Sequence, residues 1–97
     1  MTHDERITKI ADNYGLDSQL DILQEECAEL IVAVSKFKRG KDTANIIEEI
    51  ADVEIMLDQI VYLLDKESNV DVYAFIGLWI EKKIRRQLER MSDSDAI

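Results

Sequence analysis

Two short acidic clusters, Glu25-Glu26-Cys27-Ala28-Glu29 and Glu48-Glu49-Ile50-Ala51-Asp52, hold the residues best equipped for chemistry. Acids three residues apart lie on adjacent turns of one helix face, so Glu26 with Glu29, and Glu49 with Asp52, can each converge on one ion. Carboxylate oxygens are the hard ligands that magnesium prefers. In a chain with 21 Asp and Glu residues, a solvated surface is the ordinary explanation for such pairs. The position of Glu49 argues otherwise: at about 100° per residue it falls between Met56 and Ile60, inside an apolar arc. Asp52 lies at the edge of that arc beside Leu63, and Glu26 shares a secondary stripe with Ile22, Ala33 and Phe37. Carboxylates bordering buried surface need a partner, and four at close range raise one another's pKa unless a cation intervenes. A divalent metal resolves the conflict, Mg²⁺ first and Mn²⁺ as a substitute. A carboxylate-bridged iron pair is the rival, but such bundles draw on Glu-x-x-His motifs, and the single histidine, His3, lies near the chain start.

Helices must position these acids. The chain has no proline, three glycines and 46% apolar residues, and it is rich in Glu, Ile, Leu, Lys and Ala, which predicts an all-α fold. The periodicity predicts a first helix over Asp4–Tyr14, closed by Gly15 in a left-handed conformation. A second, capped by Asp17 or Ser18, runs to Arg39 or Gly40 along a main stripe of Leu20, Leu23, Cys27, Leu30, Ile31 and Val34. A third, capped by Asp42 or Thr43, runs to about Lys66 with Ile46, Ile50, Val53, Leu57, Ile60, Val61 and Leu64 buried. The fourth spans about Val70–Met91, with Tyr73, Ile76, Ile80, Ile84 and Leu88 in line, Gly77 marking a close helix contact, and Ser92–Ile97 frayed. Short connections make sequential helices antiparallel hairpins. The expectation is a four-helix bundle forming one domain over residues 1–97, with no internal repeat or linker.

Ninety-seven residues bury a small core, so self-association as a homodimer or homotetramer is expected. The net charge of −9 disfavours a nucleic-acid polymer as partner. No apolar run is long enough for a membrane span or signal peptide, and the one cysteine, Cys27, forms no internal disulfide, which points to a cytoplasmic location. Cys27 is read as a core residue without a base partner for nucleophilic work.

Nine of the 12 basic residues fall within Lys36–Lys41 and Lys82–Arg90. Lys83, Arg86 and Arg90 share one helix face with Trp79, suited either to the C-terminal helix dipole or to phosphate. Lys36, Lys38, Arg39 and Lys41 are assigned to the end of the second helix and to loop solubility. Trp79, Tyr14 and Phe37 are candidates for stacking on a base, and Gln19 for reading a base edge. Glu54 also falls in the apolar arc of the third helix, where it needs a partner or serves as an extra ligand.

Together these segments resemble the MazG-like all-α nucleoside triphosphate pyrophosphohydrolases, whose signature is Glu-Glu-x-x-Glu on one helix and Glu-x-x-Asp on the next. Glu25, Glu26 and Glu29 match the first half, and Glu49 and Asp52 the second, within a likeness covering about Tyr14–Arg90. The resemblance implies Mg²⁺-dependent hydrolysis between the α and β phosphates to a nucleoside monophosphate and pyrophosphate. It implies metal ligation by Glu26, Glu29, Glu49 and Asp52, with Glu29 the candidate to orient or deprotonate the attacking water. The run from Lys83 through Arg86 to Arg90 is similar to the family's phosphate-contacting helix. Base and sugar are not implied, because dimeric dUTPases and dCTP pyrophosphatases share the acidic core. The competing reading is a non-catalytic helical interaction module or a nucleotide sensor.

Overall fold

A computed structural model describes residues 2–95 and contains four helices, α1 (His3–Tyr14), α2 (Leu16–Gly40), α3 (Thr43–Glu67) and α4 (Val72–Asp95). Among the described residues there is no strand, as the composition predicts. The helix ends follow local chemistry. Thr2 caps α1 by accepting from the Glu5 N–H at 3.1 Å, and Asp42 caps α3 by accepting from the Asn45 N–H at 3.2 Å. Gly15 takes φ 87°, ψ 169°, a positive-φ extended geometry and not the left-handed helical one expected, and it caps α2 in place of Asp17 or Ser18. Lys41 carries the left-handed conformation after α2, so Gly40 stays helical. The fourth helix starts at Val72, not Val70, because Asp71 caps it by accepting from the Ala74 N–H. Ser92–Asp95, expected to fray, are helical, and residues 96–97 lie outside the described residues.

The two-residue connection Lys41–Asp42 turns α3 back against α2, and this hairpin is the most extensive packing in the chain. Its seam is not the one that apolar content favours. On α2 the buried residues are Gln19 and Ala33, with Ile22, Glu26 and Phe37 half-buried; of the expected main stripe, Leu23, Cys27 and Leu30 are half-buried and Leu20, Ile31 and Val34 are exposed. On α3 the buried set is Met56, Gln59, Ile60 and Leu63; of the expected stripe Ile60 is buried, Ile46, Val53 and Val61 are half-buried, and Ile50, Leu57 and Leu64 are exposed. Each helix carries two apolar stripes, and the stripe containing the acids is the one that meets the other helix.

Within the seam, Gln19 and Gln59 are 5% and 2% exposed, and the Gln19 amide donates to the Gln59 carbonyl oxygen at 2.7 Å. The pair lies seven residues before Glu26 on α2 and seven after Asp52 on α3, which sets the antiparallel register that brings the acids opposite one another. The bond is the only strong side-chain link across the seam among the described residues, so it specifies register more than it adds to net stability.

The short α1 lies on α3, burying Ile7 and Ala11. Tyr62 Oη donates to Asp12 and Lys66 Nζ contacts the same carboxylate at 2.9 Å, tying α1 to the outer face of α3. The Asp12 carboxyl is held below its usual range by hydrogen bonds from Lys66 and Tyr62. By contrast, among the described residues α4 packs against α3 and only near its start, where the Val72 N–H donates to Asp65 Oδ1 at 3.1 Å. A groove of about 530 Å³ opens between α1, α3 and the root of α4. Tyr73, Ile76, Ile80, Ile84 and Leu88 are all exposed, and Gly77 has open space around it with no close helix contact.

Removing one partner of a buried amide pair leaves the other unsatisfied. Gln19→Leu is expected to destabilise the chain by about 1–3 kcal/mol, with much of the loss recovered in Gln19→Leu/Gln59→Leu. Urea unfolding at fixed protein concentration measures this, and an unaltered midpoint for the single variant would contradict the assigned role.

Candidate metal centre

The register places Glu26 across from Asp52 and Glu29 across from Glu49, three residues along on each helix. Each of the four offers a carboxylate oxygen, and these atoms all lie within 4.8 Å of one another. Glu26, Glu49 and Asp52 are half-buried, and Glu29 is exposed at the rim. All four acids singled out by spacing are therefore brought together from two helices.

The electrostatics are those of an unneutralised cluster. Glu26 is raised above its usual value of 4.5, first by loss of solvent and then by the charges of Glu29, Asp52 and Glu49. Glu49 is raised in the same way, by desolvation first and then by Glu29 and Asp52. One oxygen of each, Glu26 Oε2 and Glu49 Oε2, is buried with no hydrogen-bond partner. Orphaned carboxylate oxygens are costly, and among the described residues no lysine or arginine side chain bonds to them. An all-oxygen donor set of this spread fits a hard divalent cation: oxygens on opposite sides of one magnesium stand about 4.2 Å apart.

A groove of about 260 Å³ opens onto the cluster, lined by Ala28, Glu29, Val32, Lys36, Asn45 and Glu49. Lys36 and Asn45 were not among the site residues expected from sequence. Lys36 follows Glu29 by seven residues and Asn45 precedes Glu49 by four, so helical spacing from the acids was the available signal.

The remaining candidates are elsewhere. Lys83, Arg86 and Arg90 do share a face, lining a shallow groove with Gln87 on α4, but none of them lines the acidic groove of the same chain. Lys82 and Lys83 lie over the Trp79 ring at 5.1 and 5.7 Å. Tyr14 lines a separate groove with Asp17 and Glu67, and Phe37 is covered by Lys41 at 4.9 Å, so the three aromatics form no common stacking site. Gln19 is consumed by its bond to Gln59 and presents no edge to a base. Glu54 is exposed, beside the open stripe of α3 and away from the four acids. Cys27 is half-buried on α2.

Because Glu26 and Glu49 bind protons more tightly in the folded than in the unfolded chain, the stability they cost appears as pH rises above 4.5 and is complete above their raised values. In metal-free buffer the double variant Glu26→Gln/Glu49→Gln should therefore gain melting temperature over wild type as pH climbs from 4.5 to neutrality. Thermal melts in a chelator across that range test it; a pH-independent difference between the two proteins would contradict the cluster's electrostatics.

No curated protein and no solved structure matches the chain. The MazG nucleotide pyrophosphohydrolase domain matches residues 15–91, from the cap of α2 to the last turns of α4, and so contains both acidic helices and the basic face. With the paired Glu-x-x-Glu and Glu-x-x-Asp motifs facing each other across one seam, the chain belongs to the MazG nucleotide pyrophosphohydrolase family.

Proposed function

We propose that this protein is a Mg²⁺-dependent nucleoside triphosphate pyrophosphohydrolase, splitting the α–β anhydride of a (d)NTP into a nucleoside monophosphate and pyrophosphate. A housecleaning role in the nucleotide pool follows from that reaction. The observation that carries the reading is the convergence of four carboxylates within 4.8 Å, two of them with buried oxygens that no described residue satisfies. Glu26, Glu29, Glu49 and Asp52 would hold the metal. When bound, it supplies neutralisation of phosphate oxygens and a lowered pKa for water. Glu29, the one exposed member, would orient the attacking water and take its proton. The three half-buried acids stand beside it on the same seam.

The active unit in this reading is a homo-oligomer, a dimer or tetramer, of a single domain spanning the chain. The chain exposes 7515 Å², about 1,800 Å² more than a compact monomer of its mass. Stable interfaces cover about 800 Å² per partner, so the excess is enough for an obligate one. Val72–Ile80 contains nine consecutive apolar residues, all but the first exposed, and a helix apolar on every side belongs in a core. Covering this segment with another copy completes the helical bundle and accounts for the exposed stripes of α2 and α3. It also gives Lys83, Arg86 and Arg90 a route to substrate phosphates that the isolated chain lacks. The interaction-module reading draws on the same exposed surface, but it leaves the four acids unexplained.

Pyrophosphate release from a panel of dNTPs and NTPs, with and without Mg²⁺, tests the activity. Wild type is expected to turn over at least one member only with metal, and Glu49→Gln to lose about a hundredfold or more; metal-independent results or an unimpaired variant would refute the assignment. Light scattering should find no monomer at micromolar concentration, and Ile80→Asp/Ile84→Asp should dissociate the assembly. A wild-type monomer would overturn the oligomeric part.

A further inference from the structure

The two ends of the α2–α3 seam differ, and the difference gives the acidic site a direction. Toward the start of α2 the seam is sealed by the Gln19–Gln59 pair, which is nearly inaccessible to solvent. Toward the Lys41–Asp42 turn it opens into the 260 Å³ groove, where Lys36 and Asn45 stand on either side beyond Glu29 and Glu49. Among the described residues Lys36 is the one cation lining this groove. Lys41 lies over Phe37, and Lys83, Arg86 and Arg90 line their own surface on α4. The Lys36 ammonium makes no ion pair among the described residues, although two carboxylates share its groove. It is therefore not used to neutralise the acids and is free to meet an anion. The groove has no aromatic wall, only Ala28 and Val32 as apolar surface, so a cation and an amide are its main recognition groups. That chemistry suits phosphate oxygens and offers a base nothing to stack on.

Resting on the pyrophosphohydrolase reading, we propose that Lys36 grips the phosphates that leave as pyrophosphate, with the Asn45 amide donating to the same group. The triphosphate then lies along the seam with its terminal phosphates toward the α2–α3 turn. Its nucleoside points away from the turn. Lys36, otherwise a solubilising residue at a helix end, becomes a leaving-group residue within the chain that carries the metal ligands.

The test is calorimetric titration of wild type, Lys36→Gln, Lys36→Arg and Asn45→Ala with inorganic pyrophosphate in Mg²⁺, alongside titration with Mn²⁺ alone. Lys36→Gln is expected to weaken pyrophosphate binding about tenfold or more, Lys36→Arg to retain most of it, and Asn45→Ala to show a smaller loss. Mn²⁺ affinity without phosphate should hold or rise in Lys36→Gln, because a positive charge beside the site has been removed. Wild-type pyrophosphate affinity in Lys36→Gln would overturn the assignment, and so would a parallel loss of Mn²⁺ binding. If wild type hydrolyses a dNTP while Lys36→Gln binds pyrophosphate normally, only the role of Lys36 fails. If wild type binds Mn²⁺ but neither binds pyrophosphate nor hydrolyses any nucleotide, the enzymatic reading fails with it.

Discussion

Mutual repulsion among Glu26, Glu29, Glu49 and Asp52 is the constraint around which the rest of the chain is arranged. Holding their oxygens within 4.8 Å, partly out of water, is unfavourable without a cation, and Glu26 and Glu49 are raised above their usual range by loss of solvent first and by the neighbouring carboxylates second. The helices must resist splaying apart under it. Two features oppose the splay: a two-residue turn that leaves little slack and the buried Gln19–Gln59 bond two helical turns from the acids. A site held open in this way is pre-organised for a divalent ion, since its reorganisation cost is met on folding.

The same seam shows how polarity is graded along a helix pair. A neutral amide pair closes one end, the carboxylates occupy the middle, and a lysine and an asparagine stand at the open end. Only the middle demands an exogenous charge. The neutral end satisfies itself, which lets the acids sit next to a dry core without water entering from behind.

The fourth helix obeys a different logic. Its first nine residues would suit the interior of a bundle, yet among the described residues they meet the rest of the chain chiefly at the root, through the Val72–Asp65 hydrogen bond and the groove that Tyr73 and Ile76 help line, and all but Val72 are exposed. A radius of gyration of 16.9 Å, against about 12.5 Å for a compact chain of this length, expresses the same imbalance. The excess apolar surface supports the proposed assembly, in which the basic half of α4 is carried to wherever its apolar half docks.

Helix type, helix number and the acidic constellation were legible in the sequence because they depend on local terms: periodicity, caps, and three-residue spacing along one helix. The Glu-x-x-Glu and Glu-x-x-Asp pairs needed only one further fact, an antiparallel hairpin, to converge. What periodicity does not contain is the rotation of one helix about its axis relative to the next. Both α2 and α3 carry two apolar stripes, and the richer stripe on each was only a partial guide to the seam: Leu23, Cys27, Leu30, Ile46, Val53, Ile60 and Val61 are covered at least in part, whereas Leu20, Ile31, Val34, Ile50, Leu57 and Leu64 are exposed. Only packing chose the stripe with the acids. That choice buried Gln19 against Gln59, set Lys36 and Asn45 beside the four acids, and left the Lys83, Arg86 and Arg90 face apart from them. Such outcomes are properties of contacts between elements, and no single helix specifies them.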